Sequence, residues 1–85
     1  MYEIHIANSR TEKILESYIK VRTDIIEKLK RLKQSPRTEC GAHPLHGKLA
    51  KRWSCWLGSN IRMIYTINDT NKIIYIEAIG THKIY

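Results

Sequence analysis

Apolar and polar residues alternate at the start of the chain: Tyr2, Ile4 and Ile6 are separated by Glu3 and His5. That is the period of a short half-buried strand. Asn8-Ser9 ends it, and Ser9 with Glu12 has the spacing of a capping box at a helix start. No Gly or Pro follows until after Gln34, and Ile14, Tyr18, Val21, Ile25, Leu29 and Leu32 recur at steps of three and four. Such a stripe places one helical face against a core. Asp24 and Glu27 offer a second capping pair, so the segment is either one bent helix or a hairpin broken between residues 20 and 24. A hairpin is expected, because one straight helix of this length would outrun so small a core.

Ser35-Pro36 stops the helix, and residues 36–47 hold Pro36, Gly41, Pro44 and Gly47, the composition of an irregular loop. Strand-like segments then cover residues 53–57, 61–67 and 72–79, with turn residues at 58–60 and 68–71. An antiparallel meander follows. Strand, helices and three strands make an α+β domain, with the N-terminal strand and helical hairpin packed on one face of a mainly antiparallel sheet. The expectation is one domain over residues 1–85.

Length sharpens this picture. A chain of 85 residues and 10.0 kDa buries roughly 60–65% of its unfolded surface, enough for one modest core. A deep cleft is not expected; an active site should lie open, with the partner supplying much of the pocket. Charge indicates which partner. The formal net charge is +7, and after Cys40 the cations Lys48, Lys51, Arg52, Arg62, Lys72 and Lys83 are set against only Asp69 and Glu77. That field suits a polyanion through phosphate contacts and counterion release, although an ordinary soluble basic domain is the simpler alternative. No apolar run approaches the ~20 residues of a membrane span, the N-terminus does not read as a secretory signal, and Cys40 and Cys55 are too few for a disulfide framework. A cytoplasmic protein with no membrane partner is expected.

Strand alternation sorts the candidate chemistry. On the middle strand of the meander Ile61, Met63, Tyr65 and Ile67 share one face, while Arg62, Ile64 and Thr66 share the other. With helices over the first set, Arg62 stands on the uncovered face beside Ser54 and Trp56. A guanidinium there can clamp a phosphate and an indole can stack on a base. The alternatives are an Arg62–Glu77 ion pair across the sheet and a Trp56 used in the core or against a protein partner. His43 and His46 lie in the loop entering the sheet and His82 in the tail leaving it, while His5 reads as structural. RNA cleavage needs such a pair, one group taking the 2′-hydroxyl proton and another protonating the departing 5′-oxygen. Cys40, His43, His46 and Cys55 could in principle bind zinc, but Cys55 falls in a core strand at an unusual spacing, so no metal or other cofactor is expected.

The run Pro44-Leu45-His46-Gly47-Lys48-Leu49, then Trp53-Ser54 and Arg62-Met63-Ile64-Tyr65, resembles the YoeB pattern of the RelE/ParE toxin superfamily from bacterial and archaeal toxin–antitoxin modules. His43-Pro44-Leu45 and Gly80-Thr81-His82 are more similar to YafQ. The resemblance implies a RelE-like fold and a ribosome-dependent mRNA endonuclease that cuts the A-site codon with the RNA's own 2′-hydroxyl and no metal. It implies His43 as general base with His46 as its substitute, Arg62 as phosphate clamp, His82 as general acid and Tyr85 as the terminal aromatic that orients the nucleotide. Lys48, Lys51 and Arg52 match a basic stretch that contacts phosphates or ribosomal RNA. A cognate antitoxin with an acidic, partly helical segment is implied as partner. The chain departs from RelE itself, which has basic residues where Ser54 and Trp56 stand, and from YoeB, whose terminal His and Tyr are adjacent. On the same scaffold, a ParE-like inhibitor of DNA gyrase and a degenerate member that only binds RNA or antitoxin are the alternatives.

Overall fold

The structure is a computed structural model that describes residues 1–58 and 60–81. Strand β1 (Glu3–Ile6) leads into helix α1 (Ser9–Val21) and helix α2 (Asp24–Gln34). A 3-10 turn at Glu39–Gly41, a two-residue strand β2 (His43–Pro44) and a second 3-10 turn at Gly47–Leu49 follow, and strands β3 (Trp53–Gly58), β4 (Ile61–Asn68) and β5 (Ile73–Gly80) complete the order. The strands form one sheet in the order β1-β5-β4-β3-β2. Among the described strands only the β1–β5 pair is parallel: the helical hairpin carries the chain from β1 to β2 at the opposite edge, and the antiparallel strands then lead back to β5 beside β1. The α+β arrangement expected from the sequence is observed.

The hairpin is broken at Arg22-Thr23, with the Arg22 N–H donating to the Tyr18 carbonyl at 2.8 Å. Three details differ from the expected pattern. The cap of α1 is Asn8: its extended backbone lets the side-chain oxygen accept from the Thr11 N–H at 2.8 Å, and Ser9 is already helical. Asp24 is likewise inside α2 rather than capping it. Its carboxylate accepts two bonds from the Arg22 guanidinium, at 2.7 and 3.2 Å, which hold its pKa below the ordinary value. Val21 leaves the apolar stripe and is 78% exposed, because α1 ends there and α2 restarts the helical phase.

Leu15, Ile25 and Leu32 from the helices pack on Cys55, Leu57, Met63, Tyr65, Ile74 and Ile76 from the sheet, with Ile4, Ile6 and Trp53 at the margin. The spacing Ile74, Ile76, Ile79 steps from two to three at a β-bulge, where Ile64 faces Ala78 but the next residue, Tyr65, faces Ile76. Glu77 is the extra residue, and its carbonyl accepts from the Thr11 hydroxyl at 3.3 Å. Tyr65 donates its buried hydroxyl to the Pro36 carbonyl at 2.6 Å, tying the loop after α2 to the centre of the sheet. Burial pushes the Tyr65 pKa up, so the phenol stays a donor.

Candidate active site on the open face

One face of the sheet is covered by α1 and α2; Arg62 is on the other. Register fixes its neighbours: Trp56 lies directly across on β3 and Gly80 on β5. The Arg62 guanidinium stacks over the Trp56 ring at 4.5 Å from its centroid, and Trp56 remains 40% exposed. Stacking on an indole draws on the ring's quadrupole and leaves the in-plane N–H donors directed at other acceptors. The Arg62–Glu77 pair considered from sequence does not form. The bulge places Glu77 elsewhere, and its carboxylate accepts from Arg52 Nε at 2.6 Å.

Residues 36–47 contain more order than their composition suggests. Cys40 (φ 57) and Gly41 (φ +64) are consecutive left-handed residues that turn the chain outward. Cys40 faces inward, its thiol donating to the Lys28 carbonyl at 3.4 Å. His43 and Pro44 then pair with Ser54 and Trp53 as an edge strand, a position that tolerates proline because no partner needs its missing N–H. His43 is exposed, and its Nδ1 lies 3.1 Å from the Gly41 carbonyl. His43 pairs Ser54 and Ser54 pairs Ile64, so His43 lies two strands and two residues from Arg62 on the same face. Standard sheet spacings separate their backbones by about 12 Å.

The remaining candidates divide. His46, Lys48 and Lys51 are exposed on the turn after β2, which is closed by backbone bonds from Leu45 to Arg52, Arg52 to Leu49 and Ala50 to Gly47. Arg52 is half-buried and its charge is matched by Glu77. Ser54 has the expected facing but is 1% exposed. It lies between Arg52 and Trp56 along its strand and between His43 and Ile64 across it. A serine among four longer side chains is shielded, so the contact with RNA expected of it is not available to its hydroxyl. His82 and Tyr85 lie outside the described residues. Of the four candidate zinc ligands, Cys55 is fully buried with its pKa pushed up to about 12 by that burial, and Cys40 is engaged with Lys28. No group of three metal-ligating side chains comes together among the described residues.

Sequence reasoning missed the Gly41 carbonyl and strand β2. The signal for the strand was present: Pro44 biases the residue before it, His43, to extended backbone. His43 is exposed, and Trp56 is 40% exposed beneath Arg62, so both can be reached from the surface. Grooves of about 320 and 340 Å³ lie elsewhere, one along the end of α2 at Lys30 and Glu39 and one between Arg10 and Ile79.

No protein-family model matches the chain, and no curated protein sequence does. Solved structures do match. The YoeB/ParE toxin from Agrobacterium tumefaciens superposes with a TM-score of 0.75 at 19% identity, covering 94% of this chain and 98% of that one. The YoeB–YefM complex from Staphylococcus aureus gives 0.73 at 17%, covering 96% and 98%. YafQ from E. coli gives 0.67 at 17%, covering 96% and 94%. At these identities the likeness is one of fold: the chain has the RelE/YoeB-like fold along nearly its whole length.

Proposed function

We propose that this chain is the toxin of a type II toxin–antitoxin module and that it cuts mRNA in the ribosomal A site by attack of the RNA's own 2′-hydroxyl, without a metal. The observation that supports this best is the Arg62–Trp56 stack on the face turned away from the helices, with His43 across the sheet from it. A fold shared with YoeB and YafQ structures agrees with it.

In this reading the flanking base stacks on the exposed part of Trp56 and the scissile phosphate lies between Arg62 and His43. His43 Nε2 takes the proton from the 2′-hydroxyl, whose oxygen attacks phosphorus. The P–O5′ bond breaks as the 2′,3′-cyclic phosphate forms. Arg62 stabilises the negative charge that builds on the phosphoryl oxygens, an effect worth about 10²–10³ in rate for one well-placed donor. His82 donates the proton to the leaving 5′-oxygen and Tyr85 orients the nucleotide; both roles come from the resemblance. Lys48 and Lys51, with His46, contact phosphates of the message or of ribosomal RNA. The ribosome supplies the walls that the open face lacks.

A cognate antitoxin completes the module. S. aureus YoeB was solved with YefM as a toxin–antitoxin complex; for this chain an acidic segment covering the +7 surface would block entry to the ribosome. No described helix is long and apolar enough to cross a membrane, and the proposed substrate places the protein in the cytoplasm. A gyrase-directed activity is the second reading, since one of the similar structures is named YoeB/ParE. Purified programmed ribosomes, with 3′ ends mapped for wild type, Arg62→Ala and His82→Ala, test the proposal. Wild type should give discrete cuts within the A-site codon, and both variants should lose them. Intact message together with inhibited supercoiling by gyrase would select the second reading.

A further inference from the structure

Gly41 has no side chain, yet it touches two members of the candidate site. Its carbonyl lies 3.1 Å from His43 Nδ1. A carbonyl only accepts, so the contact is a hydrogen bond only when Nδ1 carries the proton. The neutral ring is then the Nδ1–H tautomer, with its lone pair on Nε2. This reverses the preference of free histidine in water, and it is the form a base acting through Nε2 requires. On the other side, a Cβ built on Gly41 would meet Trp56 Cδ1 at 3.1 Å. The indole edge thus rests against the Gly41 backbone while its face carries Arg62 at 4.5 Å.

The turn that presents Gly41 is anchored from inside. The Cys40 thiol bonds to Lys28 in α2, Cys40 and Ala42 pack against the core, and the Ala42 N–H donates to the Glu39 carbonyl at 3.0 Å. Gly41 itself needs φ +64, which a residue with a Cβ adopts only at a cost. Conformation, contact and hydrogen bond therefore converge on one position.

We propose that Gly41 is the positioning residue of this site, setting the His43 tautomer through its carbonyl and seating Trp56, and through it Arg62, against its bare backbone. The proposal rests on the nuclease reading above for its consequence in catalysis, but its geometry stands apart from that reading and is measured apart from it.

The test uses the full chain labelled with ¹⁵N. Imidazole nitrogen shifts at a pH where the ring is neutral report the tautomer, the Trp56 indole cross-peak reports the seat, and programmed ribosomes report cleavage. In wild type, His43 should be Nδ1–H. In Gly41→Ala, the ring should move toward Nε2–H, the Trp56 signal should shift, and kcat should fall about 10–100-fold, the scale of a misplaced catalytic group. Gly47→Ala is the control for backbone strain alone: Gly47 has φ +68 with nothing within 4 Å of the added carbon, and this variant should leave both spectroscopic signals in place. An Nε2–H tautomer in wild type would overturn the proposal even if Gly41→Ala does not fold. So would a folded Gly41→Ala with unchanged tautomer, indole signal and rate. If wild type leaves message intact while both spectroscopic signals respond to Gly41→Ala, the nuclease reading falls and the positioning by Gly41 stands.

Discussion

Strand β3 carries two tryptophans, and each sits under an arginine, but on opposite faces and for different ends. Trp53 faces the helices, and Arg37 lies 5.8 Å from its ring centroid. The Arg37 guanidinium is closed off by Asp69, which accepts from it at 3.0 and 2.8 Å and from the Tyr2 hydroxyl at 2.6 Å. Three segments far apart in sequence are tied there: the start of β1, the loop after α2 and the β4–β5 turn. Trp56 faces away from the helices, half-exposed under Arg62 at 4.5 Å, and the acid that could have faced Arg62 across the sheet is taken by Arg52. The same residue pair acts as a clasp on one face and as a presented surface on the other. What separates them is how each pair is finished: Asp69 and Tyr2 close around Arg37, whereas the Trp56 ring under Arg62 keeps 40% of its surface exposed.

Substitutions can break that contrast. The largest effect should come from Arg62→Ala, which should reduce cleavage of ribosome-bound message about 10²–10³-fold. Arg37→Ala should instead lower the urea midpoint and leave cleavage near wild type, and equal loss of cleavage by the two would erase the distinction between the faces. His43→Ala should cost about 10²-fold or more in single-turnover cleavage, with His43→Gln no better, because glutamine cannot take the proton. Trp56→Ala should weaken binding of single-stranded RNA by about 1–3 kcal/mol, read by titration at fixed salt, while Trp53, turned to the core, should matter to stability instead. On the structural side Tyr65→Phe leaves the Pro36 carbonyl without its buried donor and should lower unfolding free energy by about 1–3 kcal/mol in urea.

The smallest effect is one of pH. Arg37, then Tyr2, holds the Asp69 carboxyl down to about 2 from its ordinary 3.8. A carboxylate depressed on folding stabilises above its unfolded pKa and loses that contribution as pH falls through the folded one. The advantage of wild type over Asp69→Asn should be constant above pH 4 and shrink between pH 4 and pH 2. Because Asp69 is exposed, the difference in thermal midpoint should be modest and should diminish with salt. An advantage that grew with acid would remove Asp69 from the clasp.

Legibility in the sequence followed the range of the forces involved. The stripe through Ile14, Tyr18, Ile25, Leu29 and Leu32 and the alternation through Met63 and Tyr65 reflect burial against one core, so helices, meander and the facing of Arg62 could be read directly. What escaped depends on single local bonds. Asn8 replaces Ser9 as cap because its backbone, not its type alone, suits the role. The bulge at Glu77 redirects one carboxylate from Arg62 to Arg52, and only the step from Ile76 to Ile79 announced it. Ser54 followed the alternation correctly yet lost solvent to its neighbours, which a period of two cannot express. Gly41 was invisible as a participant because its contribution is a carbonyl and an absent Cβ.

Cleavage of A-site message on purified ribosomes by wild type and Arg62→Ala, with the fragment ends characterised, bears most directly on the whole account. Wild type should give discrete cuts ending in a 2′,3′-cyclic phosphate, and a folded Arg62→Ala should lose them. Wild-type cleavage by the folded variant, or no cleavage by either, would contradict this.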